Sequence, residues 1–85
     1  MAASIHARAY KPIIQAFIEA RTDAGIFQAD LAKLIGRDQS FISRIENGQR
    51  RLDVLEAFVI ARAMGYDPVE FMARLVAKVP AKATL

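Results

Sequence analysis

Residues 28–48 read QADLAKLIGRDQSFISRIENG, and the reading of the whole 85-residue chain turns on them. Two short segments with apolar residues at helical spacing lie on either side of Gly36. The first predicts a helix over about 28–35 with Leu31, Ala32 and Ile35 facing inward, ended by Gly36 in a left-handed conformation. Asp38 is a good N-cap for the second, over about 39–46, whose inward residues are Ile42 and Ile45 and which Asn47 and Gly48 stop. A step of about 100° per residue then leaves Gln39, Ser40, Ser43 and Arg44 on the opposite, outer side. Ala32 is small enough for the two helices to approach closely. Helix, short Gly-led turn and helix make a helix-turn-helix. Hydrogen-bonding side chains at the exposed start of such a second helix stand where base edges of a DNA major groove would be read.

Outward from this stretch the periodicity stays helical. Pro12 suits the first turn of a helix over about 12–24, along which Ile14, Phe17, Ile18 and Arg21 recur at three- and four-residue steps before Gly25. Asp53 can cap a helix over about 54–64 with Val54, Leu55, Phe58, Val59 and Ala61 on its apolar positions, closed by Gly65. In the stretch YDPVEFMARLVAKV, Asp67 caps and Pro68 opens a fifth helix that buries Val69, Met72, Leu75 and Val76 in some combination. No segment alternates as a half-buried strand does, so an all-α, five-helix domain is expected over 12–79, with an extension over 1–11 and a short tail over 80–85.

Composition narrows the class without naming a function. The chain has room for one modest core. With no cysteine, disulfide and thiolate chemistry are excluded. Twelve Lys and Arg against nine Asp and Glu give a net charge of +3, compatible with a polyanionic partner but too weak to identify one. No window reaches the roughly 18 uninterrupted apolar residues that a membrane span needs, and a cytoplasmic protein is expected. His6 stands without a second ligand, so no metal site is expected. Asp53 and Glu56 have neither nucleophile nor histidine beside them, so neither catalysis nor a cofactor is expected.

The chain resembles the Cro/repressor-type (XRE-like) helix-turn-helix family over roughly residues 13 to 76. The residues that carry the resemblance are Arg21, Gly25, Gln28, Leu31, Ala32, Ile35, Gly36, Gln39, Ser40, Ile42, Ser43, Ile45, Glu46, Asn47 and Gly48. The resemblance implies a five-helix lambda-repressor-like bundle that binds operator DNA, in this family usually as a twofold dimer, with the third helix in the major groove. It assigns Gln39, Ser40, Ser43 and Arg44 to base edges, and Gln28 to a phosphate and to bracing Gln39. It gives Asn47 and the basic residues after Gly48 to the sugar-phosphate backbone, and Arg21 and Glu46 to a mostly buried salt bridge. Phe27 departs from the pattern, standing where the family usually has Ser, Thr or Asn as a cap.

Bland explanations compete with several of these assignments. The polar side of the third helix is also what any solvated helix face looks like. Arg50 and Arg51 are natural phosphate ligands or a solubilising pair, and Arg37, in the turn, is a further candidate for the backbone. Phe41 is expected partly buried at the edge of the third helix. Phe71, Leu75, Val76 and Val79 exceed what one small core needs and suggest a subunit interface, with ordinary core packing as the alternative. The expected function is a homodimeric repressor or autoregulator on a pseudo-palindromic operator. The rival is an antitoxin or antiactivator that sequesters a protein partner with the same fold.

Overall fold

The computed structural model describes residues 8–85, and His6 and most of the expected N-terminal extension lie outside the described residues. A 3-10 turn over Arg8–Tyr10 leads into five helices: α1 (Lys11–Asp23), α2 (Gln28–Leu34), α3 (Gln39–Glu46), α4 (Val54–Ala63) and α5 (Pro68–Val76). No strand occurs among the described residues.

Local chemistry sets the helix limits. Asp38, Asp53 and Asp67 each accept a backbone N–H from the first turn of α3, α4 and α5, and Glu56 completes a capping box by accepting from the Asp53 amide. α2 is the exception, because Phe27 at its N-cap is extended and supplies no side-chain acceptor. At the end of α3, Gly48 has φ of +76°, and a Cβ there would lie 3.2 Å from Cδ1 of Ile14. The left-handed turn therefore favours glycine, and a side chain there would also press on the end of Ile14.

The core gathers one face from each helix. Ala16, Phe17 and Ala20 of α1 meet Leu31 and Ala32 of α2, Phe41, Ile42 and Ile45 of α3, Ala57, Ile60 and Ala61 of α4, and Phe71 and Leu75 of α5. Phe17 and Phe71 pack edge to face with centroids 6.2 Å apart, and Tyr66 stacks on Phe71 at 5.9 Å. The Tyr66 hydroxyl donates to the Ala20 carbonyl at 2.7 Å, and Arg74 pairs with Asp23, so α5 and the loop before it are each fastened to α1 at a polar point as well.

Two expectations about the C-terminal half are corrected. In α4 the apolar positions Val54, Leu55, Phe58 and Val59 face out, with Leu55 70% exposed, while Ala57, Ile60 and Ala61 face in. The segment VLEAFVIARA is apolar nearly all round, so periodicity could not choose its face; the small alanines face the neighbouring helices. In α5, Phe71 and Leu75 belong to the core, not to a subunit surface, whereas Val69 and Val76 are exposed and Val79 is half-buried. Tyr10, in the expected extension, is also buried, and its hydroxyl accepts the Leu52 amide at 3.0 Å.

These placements separate by mutation. Leu75→Ala empties core volume and should cost about 2 to 5 kcal/mol. Leu55→Ala, at an exposed position, should stay within about 0.5 kcal/mol in a dilute thermal melt. Equal losses would mean that α4 and α5 bury other faces than those described.

Candidate nucleic-acid interface

The outer side of α3 is built from its cap upward. Asp38 accepts the Phe41 amide at 3.3 Å and the Ser40 hydroxyl at 2.6 Å. The Ser40 bond, then the Phe41 amide, hold the Asp38 carboxyl below its ordinary range. Ser40 has thereby used its proton, and its oxygen still accepts. Gln39, Ser40 and Arg44 are exposed and Ser43 is half-buried, while Phe41, Ile42 and Ile45 occupy the core side of the same helix. The Asn47 amide lies 3.5 Å from the Ser43 hydroxyl, at the limit of a hydrogen bond. Arg44 makes no ion pair among the described residues and is an exposed cation at the foot of this face.

Behind Gln39 runs a chain of hydrogen bonds to the interior. Arg21 places its fork on Glu46, with Nε 2.5 Å from Oε2 and Nη2 3.0 Å from Oε1, and its Nη1 donates to the Ile26 carbonyl at 2.9 Å. The two side chains are only 12% and 6% exposed. Gln28 Nε2 donates to Glu46 Oε1 at 2.8 Å, and Gln39 Nε2 donates to Gln28 Oε1 at 3.2 Å. The structure thus brings Arg21, Glu46, Gln28 and Gln39 into one line from α1 to the surface. The link from Gln28 to Glu46 was not foreseen in the sequence, since residues 18 apart in different helices carry no local signal.

On the far side of α3 the basic residues are largely engaged within the fold. Phe41 is buried, with the guanidinium of Arg37 4.4 Å from its ring centroid and that of Arg50 4.6 Å from it. Arg50 also grips Glu56 with both terminal nitrogens, at 2.8 and 2.7 Å. Arg51 stacks over the Tyr10 ring at 4.7 Å, and its buried Nε has no hydrogen-bond partner. The role of Glu56 went unrecognised, although the Asp53-x-x-Glu56 spacing of a capping box was a signal for half of it. Its pairing with Arg50 needed the folded turn. No group of three or more His, Cys, Asp or Glu that could hold a metal ion exists among the described residues.

A helix-turn-helix family model matches residues 17–71, which is more than half of the chain. The chain belongs to the XRE-type helix-turn-helix family. An XRE-family-like protein from Pseudomonas syringae pv. tomato is 43% identical over 85% of this chain and 88% of its own, with a TM-score of 0.74. The restriction-modification controller protein C.AhdI from Aeromonas hydrophila is 34% identical over 69% of this chain and 86% of its own, at a TM-score of 0.63. The clp gene regulator ClgR from C. glutamicum, 15% identical, covers 87% of this chain and 96% of its own at 0.73, a likeness of fold. No curated protein sequence matches. Helix-turn-helix proteins of this family are DNA-binding transcriptional regulators, and this chain is one of them. None of its helices, among the described residues, is long and apolar enough to cross a membrane.

Two measurements probe this scaffold without DNA. Glu46→Ala leaves the Arg21 guanidinium buried and unpaired, a loss on the order of 3 to 5 kcal/mol, and should lower the melting temperature by more than about 10 °C. An unchanged melting temperature would remove the pair from the scaffold. Glu56 lies below its ordinary value of 4.5, first because Arg50 donates to it and then because the Asp53 amide does. Its folded-state value is depressed, so its contribution is present above pH 4.5 and is lost as the pH falls through the folded value. Glu56→Gln should therefore flatten the fall in melting temperature below that pH, and an unaltered acid limb would contradict this.

Proposed function

We propose that the chain is a homodimeric repressor or autoregulator that reads a pseudo-palindromic operator with α3 in the major groove. The observation that carries this reading is the division of α3 into a core side of Phe41, Ile42 and Ile45 and an outer side of exposed Gln39, Ser40 and Arg44 with half-buried Ser43. A glutamine amide can donate to N7 and accept from N6 of adenine, and a guanidinium can donate to O6 and N7 of guanine. Gln39 then reads an A·T pair and Arg44 a G·C pair, with Ser40 and Ser43 between them. Gln28, Arg37, Asn47, Arg50 and Arg51 serve the sugar-phosphate backbone. Of these, Arg50 acts from within its pair with Glu56, and Arg51 from its stack on Tyr10. The uncapped amides at the start of α2 leave room for a phosphate there.

The dimer surface in this proposal is the outer face of α4, where Val54, Leu55, Phe58 and Val59 are exposed together, with Val76 of α5 as a further exposed apolar residue. Phe71 and Leu75 take no part in it. Contiguous apolar side chains on a small protein mark an interaction site, and a twofold partner would set two copies of α3 about 34 to 36 Å apart. Similarity to C.AhdI, a controller of restriction-modification, supports gene regulation. The same α4 face would also serve the rival, a protein that captures a different partner.

Selection from a random duplex library with the purified protein separates them. The wild type should enrich a pseudo-palindrome; Gln39→Ala should relax one A·T position and Arg44→Ala one G·C position, each by about 1 to 3 kcal/mol of discrimination. Sedimentation of the same preparation should give a dimer. No enriched sequence, or a monomer both free and on DNA, would overturn the repressor reading in favour of partner capture.

A further inference from the structure

The line from Arg21 to Gln39 carries a direction as well as a position. Glu46 in its ionised form only accepts hydrogen bonds. Arg21 occupies both of its oxygens, and Oε1 takes a second bond from Gln28 Nε2. The opposite orientation of the Gln28 amide would set its oxygen against a carboxylate oxygen with no hydrogen between them. Gln28 must therefore turn its nitrogen to Glu46 and its oxygen to Gln39. Faced with an oxygen, Gln39 must in turn donate from Nε2, as it does at 3.2 Å. One N–H and the oxygen of Gln39 then remain for the surface, a donor beside an acceptor.

We propose that Glu46 is a specificity-determining positioning residue: through Gln28 it fixes which way the Gln39 amide presents itself to the major groove. This rests on the reading that Gln39 meets a base edge. A donor beside an acceptor matches N7 and N6 of adenine. Were the line reversed, Gln39 would turn its oxygen inward and show two N–H donors, the complement of N7 and O6 of guanine. The side chain that sets this choice is 6% exposed and acts only through the intervening amide. Exposed Gln39 therefore does not sample both amide orientations equally; a buried charge biases it toward one base.

Two substitutions reverse the line by different means. In Glu46→Gln, an oxygen at the Oε2 position keeps the shortest contact, from Arg21 Nε, while the new NH2 at the Oε1 position gives up the bond from Arg21 Nη2, faces Gln28 and turns it over. In Gln28→Lys, the ammonium donates both to Glu46 and to the Gln39 oxygen and leaves the Arg21 pair intact. Selection from a random duplex library is run on the wild type, both variants and Gln39→Ala, with a thermal melt of each. At the one position that Gln39→Ala relaxes, both variants should lower the ratio of A·T to G·C by about fivefold or more and leave the other positions as they are. A purely structural role would weaken all sequences alike and leave that ratio unmoved, which overturns the proposal even if the melting temperature falls. If Glu46→Gln does not fold or the two variants differ, the ratio in Gln28→Lys decides. If Gln39→Ala itself alters no position, the base-reading assignment falls and this proposal falls with it; if Gln39→Ala relaxes a position and the two variants do not, only the proposal falls.

Discussion

The ion pair of Arg21 and Glu46 is the constraint on which the remaining geometry depends. Two charges withdrawn from water are tolerated only where the geometry is good and their remaining hydrogen-bonding capacity is met. Here the Arg21 fork meets both carboxylate oxygens, its third nitrogen reaches the Ile26 carbonyl, and Gln28 completes Glu46. One pair thus ties α1 to the end of α3, to the segment before α2 and to the first residue of α2. A helix of eight residues has too few internal bonds to be stable alone, and α3 takes its position from these ties and from Ile42 and Ile45 beneath it.

On its far side α3 is held differently. Phe41 brings a large apolar ring into the core, and two guanidiniums cover it, one from the turn before α3 and one from the segment after it. Arg50 links that cover to the start of α4 through Glu56, which at the same time completes the capping box of α4 by accepting the Asp53 amide. The two clusters, one ionic and central and one aromatic and peripheral, grip α3 at opposite edges and leave only its polar side open.

What was legible in the sequence is what local chemistry controls. Helix limits follow from Asp38, Asp53 and Asp67 as caps and from glycines such as Gly36 and Gly48 at positive φ, each acting within a few residues. The inward Leu31 and Ala32 of α2 and Ile42 and Ile45 of α3 were equally legible from their spacing, but Phe41, expected only partly buried at the edge of α3, lies in the core beneath two guanidiniums. α4 was not, since nearly every residue from Val54 to Ala61 is apolar and only the neighbouring helices decide that alanines go in and Leu55 goes out. Phe71 and Leu75 were ambiguous for a related reason: a surplus of apolar residues does not say which of them the core takes. At the site, Gln39, Ser40, Ser43 and Arg44 could be placed by rotation alone. The commitments of Arg50 to Glu56 and of Arg51 to Tyr10 could not, because each needs two segments folded together.

If α3 reads bases as proposed, its shortness bounds how much information one copy of the chain can extract from DNA. Eight residues at 1.5 Å each give a helix about 12 Å long, which runs past about four base pairs. A four-base word recurs by chance about every 256 positions, so it is no address among the roughly 10⁶ or more competing sites of a genome. Two such words at fixed spacing recur only about once in 65,000, and shape or flanking contacts can supply what is still missing. On the proposed reading, a helix this short names a place on a chromosome more sharply as half of a pair than alone.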